Sequence, residues 1–168
     1  TMLDIIFING APGIGKSTIS KLLSLKLDSP LFEFGWIPEF QNKGFERMGY
    51  KEEEAFSFEN LSLVLHNYVR HWFKNILVTD LPVESIEEIE SKFGDCAYKL
   101  FTLITKNEKT LGERILDETR SSGYRNVKDG IKINSDNQMR ELYKAESHIL
   151  IDDKTPEEVA LEIESLLV

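Results

Sequence analysis

The chain has one cysteine, Cys96, so it can form no internal disulfide, and a reducing, cytosolic setting is expected. It has no apolar run long enough to cross a bilayer. Residues 3–8 are apolar but too few for a secretory leader, and they include Asp4, so no targeting segment is expected. Basic residues are outnumbered, 20 Lys and Arg against 29 Asp and Glu, for a net charge of -9. That balance argues against nucleic acid or an anionic membrane as the main partner. Repeats, low-complexity stretches and linkers are absent. Histidine is sparse. His66 and His71 have no second ligand nearby at metal spacing and read as surface or boundary residues.

What is present is a loop, Gly10-Ala11-Pro12-Gly13-Ile14-Gly15-Lys16-Ser17, followed by Thr18, which fits G-x-x-x-x-G-K-[ST]. An apolar run precedes it, and Ile19, Leu22, Leu23 and Leu27 follow at helical spacing. The reading is therefore strand, glycine-rich turn, helix start. Glycines let the backbone wrap a phosphate with its N–H groups inward, and the helix N-terminus adds partial positive charge. In this pattern Lys16 reaches the β- and γ-phosphates and the Ser17 hydroxyl binds Mg²⁺. A guanine-recognition N-K-x-D sequence is missing, since Lys106-Asn107-Glu108-Lys109 and Lys128-Asp129 do not fit that order. A GTPase is thus the less expected reading.

Apolar periodicity predicts five strands, at residues 3–9, 31–34, 75–80, Tyr98–Ile104 and 147–151. Helices are predicted at 15–27, 51–74, 83–93, 106–119, 139–145 and from Pro156 onward. Residues 41–50 read as a loop, and Ser121 opens a basic, glycine-containing stretch that ends near Asn137. Strands alternating with helices in a chain of 168 residues predict one α/β domain with a mainly parallel sheet. Ligands of such sheets bind beyond the carboxyl ends of the strands. The loop, Glu33, Asp80, Thr105 and Asp152 all fall there.

Asp80 ends an apolar strand far in sequence from the loop. It reads as a Mg²⁺ ligand, direct or through water, or as a base toward a substrate hydroxyl. Glu33 and Glu39 flank the end of the second strand, where a base facing an acceptor is also expected, and Trp36 and Phe34 either stack on that acceptor or pack. Arg114 and Arg120 sit in a stretch that reads as a clamp for phosphates, and Gly123 supplies a hinge.

With these residues in view, the chain resembles the small P-loop kinases of the nucleoside and nucleotide kinase-like group. Adenylate, shikimate and gluconate kinases and chloramphenicol phosphotransferase belong to that group. The resemblance rests on GAPGIGKST, on the acid-ended ILVTD, on ERILDETR with GYR after it, and on the terminal HILID. It implies a three-layer fold with five parallel strands in the order 2-3-1-4-5 and a lid-like segment at about 117–137. It also implies that Arg114 and Arg120 lie near ATP, and that the loop from Asp152 through Asp153 to Thr155 lies near adenine. The implied activity moves the γ-phosphate of ATP to a small-molecule acceptor such as a nucleoside, nucleotide, sugar or antibiotic, by a monomer or homodimer. The residues leave a second reading open, an ATP-binding or ATP-hydrolysing module that acts as a switch or drives a partner. The chain departs from the group where Leu81-Pro82 follows Asp80 and where Glu33-Phe34-Gly35-Trp36 replaces paired aspartates. The resemblance therefore names no acceptor.

Overall fold

The computed structural model describes residues 2–39, 49–120 and 122–167. Its centre is β1 (Ile5–Gly10), nearly every residue of which is buried, as a strand covered on both faces requires. The other strands are β2 (Leu31–Glu33), β3 (Ile76–Thr79), β4 (Tyr98–Ile104) and β5 (Glu146–Leu150). They form one sheet in the order β2-β3-β1-β4-β5, and every neighbouring pair is parallel. The expected fold and strand order are therefore present.

Side chains alternate across a strand, so each strand feeds two cores. Ile6, Ile8, Leu77, Phe101 and Leu103 pack with α1 (Lys16–Leu27), α6 (Glu108–Leu116) and α8 (Pro156–Ser165). Ile5, Phe7, Ile76, Val78 and Leu100 pack on the other face with α3 (Tyr50–Arg70), α4 (Val83–Glu87) and α5 (Ile89–Phe93). A short α2 (Trp36–Glu39) follows β2, and α7 (Val127–Met139) lies between α6 and β5. Pro156 does start α8, where Thr155 and Glu158 form a reciprocal capping box.

Three expectations are corrected. The helix predicted at 51–74 stops at Arg70, and Trp72 turns left-handed with φ 68°. The helix predicted at 83–93 divides at Glu88 into α4 and α5. The stretch expected to stay irregular to Asn137 is helical from Val127, while residues 140–145, expected to be helical, are not. The side chain of Asn126 caps α7 by accepting from Asp129 N–H at 3.1 Å. The irregular stretch is thus confined to 117–126, in which Ser121 is outside the described residues. The loop expected at 41–50 lies mostly outside them as well, as does the side chain of Glu39.

Candidate active site

The turn after β1 takes the backbone shape its glycines allow. Gly10, Gly13 and Gly15 have φ of 147°, 79° and 110°. At Gly13 a Cβ would also stand 2.9 Å from Ile115 Cγ1, so the loop rests directly on α6. Helix α1 begins at Lys16 with no side-chain cap and no acid in its first turn, whereas α6, α7 and α8 are all capped by side chains. Its first N–H groups are left for an external acceptor, the arrangement that binds anions at helix N-termini.

Lys16 folds back over the loop. Its Nζ donates to the carbonyls of Gly10 at 2.8 Å and Ala11 at 3.1 Å and lies 3.5 Å from Asp80 Oδ1. Burial holds its pKa below the usual lysine range, with Asp80 opposing that shift and Arg120 adding to it. Lys16 therefore feels two further charges, an acid from the end of β3 and a guanidinium from beyond α6. Asp80 is itself left-handed, φ 65°, with its carboxylate 59% exposed. Ser17 and Thr18 are exposed in the first turn of α1. The Ser17 hydroxyl and the Asp80 carboxylate are hard oxygen donors, which suits Mg²⁺.

A cleft of about 490 Å³ opens beside the loop. Its lining includes Asn9, Gly10, Pro12, Lys16 and Asp80 together with Tyr50, Glu84 and Tyr143. Glu33 is not among its lining residues. Leu31 packs into the core beneath α1 and Phe32 into the core beneath α3, so the period-2 alternation turns Glu33 to the α1 face, away from the cleft. Of the two acids expected as a base toward an acceptor, Asp80 lines this cleft and Glu33 does not. The two arginines also part company. Arg120 Nη1 donates to Ile115 O at 3.1 Å and to Tyr124 O at 3.4 Å, and its charge reaches Lys16. Arg114 instead lines a second cleft with Asn107, Asp152, Asp153 and Thr155. There the carboxylate of Asp152 accepts from the Thr105 hydroxyl and from Lys106 N–H, and Asp153 is left-handed, φ 57°.

Sequence reading missed one network. Glu146, whose side chain is fully buried, accepts from Arg140 Nη1 at 2.7 Å, Arg140 Nη2 at 2.6 Å, Tyr143 N–H at 2.7 Å and the Thr102 hydroxyl. Asn9 Nδ2 donates to the same hydroxyl at 3.2 Å. Burial alone would raise the Glu146 pKa, but Arg140, Thr102 and the Tyr143 N–H together hold it below the usual glutamate value. Arg140 also covers the Tyr143 ring at 4.1 Å, and both line the first cleft. The only signal in the sequence was an acid, Glu146, three residues before the apolar Ile149-Leu150-Ile151.

These features define an α/β fold with a phosphate loop at the carboxyl end of its central strand. No known family profile matches the chain. It is 29% identical to a cytidylate kinase from Buchnera aphidicola subsp. Baizongia pistaciae over a 108-residue alignment, which covers 58% of this chain and 45% of that protein. The chain thus spans less than half the length of this curated relative. Among solved structures, the tunicamycin resistance protein of Deinococcus radiodurans is similar with a TM-score of 0.69 and 18% identity, covering 97% of this chain and 94% of that one. A gluconokinase from Sinorhizobium meliloti 1021 gives 0.67 and 15%, covering 96% and 90%. A shikimate kinase from Bacteroides thetaiotaomicron gives 0.64 and 16%, covering 99% of each chain. At such identities the likeness is one of fold, shared over nearly the whole chain. No helix among the described residues is long and apolar enough to cross a membrane.

Proposed function

We propose that this chain is an ATP-dependent phosphotransferase, a single kinase domain that moves the γ-phosphate of ATP to a small-molecule acceptor. The observation that carries the reading is the position of Lys16. It is a buried cation seated on the carbonyls of its own loop, 3.5 Å from Asp80, at the end of a cleft that runs on past the loop. A switch or a simple hydrolase needs the loop, but it has no use for a cleft of acceptor size beside it. Kinase relatives in sequence and in fold support the same reading.

In this reading the uncapped start of α1 and the inward N–H groups of residues 13–18 hold the phosphates, and Lys16 pairs with the β- and γ-oxygens. Bound Mg²⁺, held by Ser17 and Asp80, would neutralise phosphate charge. Arg120 approaches from the segment between α6 and α7, which acts as the lid, and excludes water as it closes. Asp80 orients the acceptor hydroxyl and takes its proton as the new phosphorus–oxygen bond forms and the bond from the γ-phosphorus to the β–γ bridging oxygen breaks, releasing ADP. The second cleft, with Arg114 and Asp153, receives the nucleoside end of ATP. Catalysis is mainly positioning and charge stabilisation.

The test is a transfer screen with γ-labelled ATP and Mg²⁺ over nucleosides, nucleoside monophosphates including CMP, gluconate, shikimate, other sugars and antibiotics. One acceptor class should gain the label stoichiometrically with ADP. If ADP appears at the same slow rate with every acceptor and none is labelled, the chain is a hydrolase or switch and the kinase reading fails.

A further inference from the structure

At the opposite end of the sheet from the phosphate loop, three side chains of different donor type converge. They are His66 near the end of α3, and Asp95 and Cys96 in the turn between α5 and β4. One ligand atom from each, a ring nitrogen, a carboxylate oxygen and the sulfur, lies within 4.8 Å of the others. Cys96 Sγ is 3.9 Å from His66 Nδ1 and 3.7 Å from Asp95 Oδ1. Sequence spacing concealed the group, because 30 positions separate His66 from Cys96 and only the fold brings them together.

The imidazole is held for ligation. His66 Nε2 lies 2.9 Å from the carbonyl oxygen of Lys92. A backbone carbonyl can only accept, so Nε2 carries the proton and Nδ1, the nitrogen facing Cys96, has a free lone pair. Donation of the outer N–H to a carbonyl is what orients a metal-bound histidine and fixes its tautomer. The ring is further fixed by stacking on Phe93, centroids 5.2 Å apart and planes 18° from parallel. Phe93 is fully buried, and its carbonyl accepts from Cys96 N–H at 2.9 Å, so the turn that carries the sulfur is anchored to the same residue. Asp4 adds negative charge near the sulfur, and its own carboxylate is fixed by Lys74 Nζ at 2.5 Å and Ala97 N–H at 2.8 Å.

We infer that His66, Asp95 and Cys96 form a binding site for a divalent transition-metal ion, with Zn²⁺ the best fit. Tetrahedral zinc with Zn–S near 2.3 Å and Zn–N or Zn–O near 2.0–2.1 Å holds neighbouring ligand atoms about 3.3–3.6 Å apart. The two separations from the sulfur, 3.9 and 3.7 Å, need to shrink by only a few tenths of an ångström, and the His66 nitrogen lies within 4.8 Å of the Asp95 oxygen. A mixed nitrogen, oxygen and sulfur set suits zinc and its borderline-soft neighbours, whereas Mg²⁺ and Ca²⁺ require oxygen donors throughout. His66 and Cys96 are half-buried and Asp95 is exposed, so an ion can enter and a water completes the fourth position. On binding, the Cys96 thiol gives its proton to solvent as the metal–sulfur bond forms, with no change in oxidation state. The ion ties the end of α3 to the α5–β4 turn, a role independent of phosphate transfer.

The test uses the full chain, stripped with chelator and desalted, and titrated with Co²⁺ as a spectroscopic probe and with Zn²⁺ by calorimetry. One equivalent of Co²⁺ should give the ligand-field bands of a tetrahedral site and a thiolate-to-metal charge-transfer band. Cys96→Ser should abolish the charge-transfer band. His66→Ala and Asp95→Asn should each weaken Zn²⁺ binding tenfold or more, while His71→Ala, an exposed neighbour on the same helix end, should leave it unchanged. Parent protein that shows no thiolate band at stoichiometric Co²⁺ overturns the assignment without relying on any variant. So does Zn²⁺ affinity equal in the parent and the three ligand variants.

Discussion

The ammonium nitrogen of Lys16 lies 3.5 Å from a carboxylate oxygen of Asp80, joining the loop after β1 to the end of β3 across the mouth of the cleft. The pair sets a nearly buried cation beside a largely exposed acid.

Lys16 weakens the fold it sits in. Burial depresses its pKa below 10.5, so at neutral pH the folded state holds a proton less firmly than the unfolded chain does. Stability should therefore rise as pH climbs toward the ordinary lysine range. Lys16→Met should melt no lower than the parent without nucleotide and should lose the response to it. ATP at 100 times its Kd should stabilise the parent by about 2.7 kcal/mol and the variant by almost nothing, as read by thermal melts.

Asp80→Asn separates positioning from chemistry. Asparagine tolerates the left-handed backbone at this position, so the fold should survive. Turnover should fall by about 10²–10⁴-fold, the usual range for a lost general base. Affinity for ATP without metal should change little. Steady-state kinetics beside equilibrium nucleotide binding gives both numbers, and a variant with full turnover would remove Asp80 from the mechanism.

Gly13 is constrained twice. Its φ of 79° disfavours any side chain, and a Cβ would meet Ile115 Cγ1 at 2.9 Å and Ile115 N at 3.2 Å. Gly13→Ala should cost about 2–3 kcal/mol in urea unfolding, from left-handed strain together with overpacking. Phosphate affinity should fall with it, because the loop can relieve the clash only by lifting away from α6.

The buried pair of Arg140 and Glu146 sets an acid limit. Hydrogen bonds hold the Glu146 pKa below 4.5, so its stabilising contribution is present above that value and is lost as pH falls through the folded-state pKa. Glu146→Gln should destabilise the protein by about 3 kcal/mol at pH 7, the lower end for a broken buried pair because Arg140 keeps some solvent contact. Its stability should also become flatter with pH on the acid side. Urea midpoints collected from pH 7 down to pH 3 give both outcomes.

The phosphate loop was legible because its chemistry is contiguous: strand, glycines, lysine and helix start fall within one short stretch. β4 was legible to the residue, since an apolar run between turn signals has one reading. Helix α7 was hidden for a physical reason. Its buried positions include Gly130, Asn134 and Asn137 rather than an apolar stripe. Asn134 earns its burial by accepting from Thr105 N–H and donating to Thr105 O, and at Gly130 a Cβ would overlap Ile115 Cδ1. A helix held by amide pairing and close backbone approach does not show the 3.6-residue apolar period. Glu33 was misjudged because sequence places a residue at a strand end but does not say which face it takes. Arg140 and Glu146 are only six residues apart but meet across a turn, and His66 and Cys96 meet only through the fold, so no periodic pattern announces either pair.

The sheet separates two cores, and the two clefts draw on them differently. Ile14 of the phosphate loop and Leu111 and Ile151 of the second cleft belong to the core under α1, α6 and α8. Phe34, Leu81 and Ile86 of the first cleft belong to the core under α3, α4 and α5, whereas its Tyr124 and Ile133 pack against the core under α1, α6 and α8. Side chains in one core can be exchanged with little disturbance to the other, because β1 and β3 stand between them. In the proposed kinase, substitutions at Phe34, Leu81 or Ile86 would therefore reshape the acceptor cleft from a core that Ile14 of the loop does not share.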